Sequence, residues 1–174
     1  VSLFSSPSLF SSFSSLFSFV FLFYSPFFFS FFSFFFFFSF FVFSTLSGFV
    51  KPYTNKIFRI LNKCFPGPYT FIMNAQTKLP TPFQKRQDIG VRISRHPIVK
   101  SILNKLDIPL VTSSLHDKNK IIKYTTDPKL IYDEWSHKVD LIIDGGNSGN
   151  IPSTVIDIRD AEPVLIRKGK GGLF

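Results

Sequence analysis

The sequence predicts an α/β fold over residues 51–174, one small domain or part of one, built on a sheet of mixed direction. Three observations carry this expectation. Along that stretch the apolar residues switch repeatedly between a period of two and a period of 3.6. Pro, Gly and Asp punctuate the switches. Finally, the composition changes abruptly at Lys51: Val1 to Val50 holds no charged residue and is almost entirely Phe, Ser, Leu and a little Pro, so the whole net charge of +9 lies after it.

The elements follow in order. Ile57, Ile60, Leu61 and Cys64 recur at helical spacing, and Pro66-Gly67-Pro68 stops that helix. Tyr69 to Asn74 is a short apolar strand. Gln76 to Gln87 is polar, contains Pro80 and Pro82, and reads as a loop with the basic pair Lys85-Arg86. Ile89, Val91 and Ile93 alternate as a strand that carries Gly90 and Arg92 on its other face. Pro97 suits the first turn of a helix whose apolar stripe is Ile98, Ile102, Leu103 and Leu106. Leu110-Val111 begins a strand running into Thr112-Ser113-Ser114, and the charged run His116 to Tyr124 reads as an exposed loop. Asp127-Pro128 starts another helix, with Leu130, Ile131 and Trp135 facing inward. Leu141-Ile142-Ile143 is expected as a buried strand ending at Asp144-Gly145-Gly146. Thr154 to Ile158 and Val164 to Arg167 are two further strands, separated by a turn around Asp160.

Residues 1–50 read as a translated pyrimidine-rich tract rather than as architecture, because codons for Phe, Leu, Ser and Pro can be all or nearly all pyrimidine. They are expected to be disordered or a non-native helix outside the domain. The other reading is a membrane anchor through residues 16–43, which is long enough for the ~20 apolar residues a span needs. Recurring Ser and the absence of any Lys or Arg before Lys51 stand against it. A secretory signal would carry a positive leading region and a transit peptide would be Arg-rich, yet the first Arg is Arg59.

The basic balance points to an anionic partner, whether nucleic acid, nucleotide or an acidic surface, or else to a solvated basic face. Cys64 is the only cysteine, which excludes an internal disulfide and fits a reducing compartment, so a cytoplasmic location is expected, with the membrane as the alternative through residues 16–43. His96, His116 and His137 are too far apart for a short-spaced metal site and read as surface or packing residues.

Three places combine strand ends with hydroxyl or Gly residues: Pro66 to Thr70, Thr112 to Ser114, and Gly145 to Gly149 followed by Pro152-Ser153-Thr154. Small residues let backbone N–H groups approach an anion, and hydroxyls add donors. Arg92 and Arg167 lie on strands, where a planar fork can grip phosphate or carboxylate. The Gly-rich run lacks the Gly-Lys-Ser/Thr ending of a Walker loop, does not fit the dinucleotide fingerprint, and read alone is a turn. No catalytic triad, paired carboxylates or redox cysteine pair stands out, so the residues by themselves give a basic α/β domain that binds a nucleotide or RNA.

Taken together, these motifs resemble the YrdC family, and more closely its YciO branch. Pro66-Gly67-Pro68-Tyr69-Thr70-Phe71-Ile72 resembles the family's Pro-Gly-x-x-Thr strand, and Asp88-Ile89-Gly90-Val91-Arg92-Ile93 its Gly-x-Arg strand, followed by His96-Pro97-Ile98. Pro109 to Ser114, Asp140 to Gly146, Pro152 to Asp157, and Ile166-Arg167-Lys168-Gly169 follow in matching order from about Pro52 onward.

The resemblance implies a twisted sheet with flanking helices around a basic cavity. It also implies synthesis of threonylcarbamoyl-adenylate from threonine, bicarbonate and ATP, with Mg2+ accompanying the ATP and pyrophosphate released, for threonylcarbamoyladenosine modification of tRNA. Carried over by motif, Thr70, Arg92, Ser114, Ser153 and Arg167 would line the nucleotide and threonyl-carbamate cleft, with strand-end capping as the other role for Thr70 and Ser114. The family's N-terminal part, with its Lys-x-Arg element, has no counterpart, and Leu115-His116-Asp117 follows the hydroxyl cluster where synthases carry Ala-Asn-x-Ser-Gly. The chain as written is therefore expected to be a C-terminal part with little or no activity. The rival readings are a non-catalytic protein binding double-stranded RNA or tRNA, and a membrane-anchored basic domain.

Overall fold

The computed structural model describes residues 37–40, 43–76, 79, 83–106, 108–112 and 126–172. They form one six-stranded mixed sheet. In chain order its strands are β1 (Phe37–Phe40), β2 (Tyr69–Asn74), β3 (Asp88–Ile93), β4 (Leu110–Thr112), β5 (Thr154–Asp157) and β6 (Val164–Arg167). Across the sheet the order is β4-β1-β3-β2-β5-β6. β1 runs parallel to β3 and β2 parallel to β5, while the β1–β4, β2–β3 and β5–β6 pairs are antiparallel. The helices are α1 (Phe43–Leu46), α2 (Asn55–Cys64), α3 (Pro97–Leu106) and α4 (Pro128–Trp135).

The expected boundary at Lys51 moves. Residues 37–50 were expected outside the domain, yet β1 sits in the sheet between β3 and β4, and Leu46 and Val50 are buried in the core. Val50 also bridges to Ala75, and Lys51 N–H donates to Asn74 O at 2.9 Å. A Phe/Ser-rich stretch can do this because a strand that is paired on both sides needs no charge of its own. Most of residues 16–43 lie outside the described residues, and among the described residues no helix is long and apolar enough to cross a membrane.

The α2 helix forms as its pattern predicts. Thr54 caps it, accepting a hydrogen bond from Ile57 N–H, and Phe65 N–H closes the last turn on Leu61 O before Pro66. Ile57, Leu61 and Cys64 turn inward to join Phe65, Phe71, Met73, Ile89, Val91, Ile93, Ile156 and Ile158 in the main core. Phe71 is fully buried, with its ring edge-on to Phe65 at 5.2 Å between centroids. Along α3 only Leu103 of the expected stripe is fully buried; Ile98, Ile102 and Leu106 are half-buried.

Two expectations fail on packing. The α4 helix starts as expected, with Asp127 Oδ1 accepting from Lys129 N–H at 2.8 Å, but Leu130 is 57% exposed. At ~100° per residue Leu130 and Trp135 lie ~140° apart, so one short helix cannot bury both. The larger Trp135 is buried, and Lys138 Nζ lies over its ring at 4.9 Å. Leu141-Ile142-Ile143 forms no strand: among the described residues no strand pairs with it, and Leu141 and Ile143 are exposed.

At one end of the sheet Arg159 ties two strands together, with Nη1 2.8 Å from Asp88 Oδ2 and Nη2 2.6 Å from Asp157 Oδ2. Hydrogen bonds from Arg159, opposed by partial burial, hold the Asp157 carboxyl below the usual carboxylate range. A depressed folded value stabilises the fold above the unfolded pKa of about 4, and that contribution disappears as pH falls through the lower folded value. Arg159→Gln should therefore flatten the decline of stability below about pH 4. Because solvent screens the pair, the loss at neutral pH should stay within about 1 kcal/mol. Urea melts at pH 7 and pH 3 check this, and parallel acid limbs for the two proteins would count against it.

Candidate functional site

Neighbouring residues of a strand point to opposite faces of the sheet. Phe71 pairs in register with Val91 of β3 and Ile156 of β5, and all three lie in the core. Thr70 and Arg92, one residue away, therefore share the opposite face with Val155, and Arg167 joins them because β6 pairs it with Val155. Ser153, just ahead of β5, brings its Oγ to 2.9 Å from Thr70 Oγ1. Thr70 is fully buried and Ser153 half-buried, so Ser153 is the more accessible of the two hydroxyls. Four of the five site residues expected from the sequence are thus on or beside one sheet face, and Ser114 lies outside the described residues.

Arg92 carries the strongest electrostatic feature of this face. Burial pushes its guanidinium below the usual arginine range, and its buried Nε has no hydrogen-bond partner among the described residues. A buried cationic donor left unsatisfied is costly, and an anion held against it would remove that cost. Arg167 is placed differently: its Nε and Nη2 donate to the carbonyl oxygen of Ser153 at 3.3 and 3.1 Å.

The Gly145–Gly149 run forms an exposed turn. Gly146 has a φ of 79°, the left-handed conformation that favours glycine, and its N–H donates to Asp144 Oδ1 at 2.8 Å, which occupies that amide. A Cβ on Gly145 would lie 3.1 Å from Ile98 Cδ1, so this turn packs against the start of α3. His96 and His137 are exposed, and His116 lies outside the described residues.

Sequence reasoning placed Thr154 at a strand start and in the hydroxyl run Pro152-Ser153-Thr154, but not among the site residues. It is fully buried, and its hydroxyl accepts from Gly169 N–H at 3.0 Å while donating to Gly171 O at 2.7 Å. The signal available was a hydroxyl residue directly after Ser153, with a glycine-rich ending downstream.

The family model described as telomere recombination, for Sua5, YciO and YrdC proteins, matches residues 37–169. The match begins ahead of the expected start near Pro52 and takes in β1 and α1. An uncharacterized protein of Haemophilus influenzae is 37% identical over 130 residues, covering 74% of this chain and 62% of that protein. A putative threonylcarbamoyl-AMP synthase of Methanocaldococcus jannaschii is 34% identical over 119 residues, covering 67% of this chain and 55% of its own length. The crystal structure of Escherichia coli YciO superposes with a TM-score of 0.71 at 35% identity, covering 79% of this chain and 67% of that one. The chain thus spans 55–62% of the length of these two curated relatives.

Proposed function

The chain belongs to the Sua5/YciO/YrdC family, and from that premise we propose that it corresponds to the C-terminal part of a threonylcarbamoyl-adenylate synthase-like protein acting in tRNA modification. Its substrates on this reading are ATP, supplied with Mg2+, together with threonine and bicarbonate. Pyrophosphate leaves as the adenylate forms.

The observation that carries this reading is the Arg92 guanidinium, largely buried and with Nε unpartnered, on the same sheet face as the Thr70–Ser153 hydroxyl pair. Every substrate of the reaction, and its adenylate product, bears phosphate or carboxylate oxygens, which a guanidinium fork and hydroxyl donors suit. Arg92 is assigned to the anion, Ser153 to a hydrogen bond beside it, and Thr70 to backing Ser153 from below. The names of relatives such as the Methanocaldococcus jannaschii protein support the substrate class.

Calorimetric titration of the full chain with ATP and with L-threonine tests the binding half of the reading. Saturable uptake of either is the expected result, and failure to take up both sinks it. The net charge of +9 favours a second reading, binding of double-stranded RNA or tRNA. Fluorescence anisotropy with a labelled duplex at two salt concentrations separates the two, since RNA binding driven by phosphate contacts falls steeply with salt.

A further inference from the structure

We propose that residues 167–172 form a clamp that sets the Thr70–Ser153 hydroxyl pair, with Thr154 and Arg167 as positioning residues. The inference rests on the reading of that pair as part of the ligand site.

Pro152 and Ser153 precede β5 and belong to no strand, so their carbonyls have no ladder to satisfy them. Both are taken up by the chain end that includes and follows Arg167. Lys170 N–H donates to Pro152 O at 2.8 Å, and the Arg167 fork donates to Ser153 O. The next residue, Thr154, holds the same segment from inside through the two hydrogen bonds of its buried hydroxyl, to Gly169 and Gly171. On the other strand Tyr69, the neighbour of Thr70, donates its hydroxyl to Gly172 O at 3.1 Å. Both partners of the hydroxyl pair are therefore steadied by one short segment, Ser153 through its own carbonyl and Thr70 through Tyr69.

The glycines are required by proximity. A Cβ at residue 169 would sit 2.3 Å from Pro152 O, and one at residue 171 would sit 2.4 Å from Tyr69 Cε1. Arg167 spends two donors on a single carbonyl, which directs its fork at backbone rather than at a ligand oxygen. A role through Ser153 follows from that geometry.

The test uses the full chain, with hydrogen exchange read on peptides spanning residues 150–156 and 166–172 and ATP affinity read by calorimetry. Thr154→Val keeps the shape and removes the hydroxyl, Thr154→Ser keeps the hydroxyl, and Arg167→Lys keeps the charge but loses the fork. Expected are faster exchange in both peptides and roughly tenfold weaker ATP binding for Thr154→Val and for Arg167→Lys, with Thr154→Ser close to the unaltered chain in both readouts. Unchanged exchange in Thr154→Val and Arg167→Lys overturns the clamp whatever the affinity. Faster exchange with unchanged ATP affinity overturns it too, because the pair would then be set independently. Weaker ATP binding in Arg167→Lys without faster exchange makes Arg167 a ligand contact and equally overturns the proposal. Should the unaltered chain take up neither ATP nor L-threonine, the functional reading fails; wherever ATP is not taken up, exchange alone decides the clamp: faster in Thr154→Val and restored in Thr154→Ser supports it.

Discussion

A chain beginning at Lys51 will lose the cooperative melt that a chain beginning at Phe37 retains. The shorter form lacks β1, which pairs on one side with β3 and on the other with β4. Without it β3 becomes an edge and β4 loses the one partner it has among the described residues. The shorter form also lacks Leu46 and Val50, 0% and 2% exposed. Burying two such side chains contributes about 3–6 kcal/mol in all, against the 5–15 kcal/mol that typically separates folded from unfolded domains. The unpaired edges that remain are templates for association, so the shorter form should also elute as soluble aggregate. Circular dichroism melts with size-exclusion profiles of the two forms check this. Superimposable transitions would show that β1 and α1 add nothing to the fold.

What the sequence made legible was the part whose signal is local. Pro66-Gly67-Pro68 behind α2 and Asp127-Pro128 at the start of α4 each act on adjacent backbone groups, and each appears where the pattern puts it. The alternation of Ile89, Val91 and Ile93 likewise placed Arg92 opposite the core before any fold was seen. Leu130 misses for a local reason, since Trp135 takes the buried side of the same short helix; the larger failures are non-local. Phe37 to Phe40 has no polar alternation to mark it as a strand, because its place between two neighbours is a property of the whole sheet. Leu141-Ile142-Ile143 has the composition of a buried strand and, among the described residues, no partner strand to make it one. The pairing of Ser153 with the chain end was invisible for the same reason: hydrogen bonds between residues 152–154 and 167–171 depend on a register that no single window contains.

Arg92 offers the sharpest separation of function from stability. Arg92→Lys keeps the positive charge and removes the planar fork. If the guanidinium holds a phosphate or carboxylate, ATP binding should weaken by on the order of 1.5–3 kcal/mol, the range for hydrogen bonds to charged groups. That corresponds to a loss of roughly 10- to 150-fold in affinity. Stability should barely change, because Nε has no hydrogen-bond partner among the described residues for the substitution to remove. Arg92→Met extends the test. Burial already pushes this guanidinium below the usual arginine range, so an apolar side chain of similar length relieves a desolvation cost. That variant should hold or raise the melting temperature while ATP binding is lost. A merely structural Arg92, ion-paired at the surface, would behave the other way round, with affinity kept and up to about 1 kcal/mol of stability removed. Calorimetric titration with ATP beside a thermal melt of the three proteins distinguishes the two cases, and unchanged affinity in Arg92→Lys would take Arg92 out of the site.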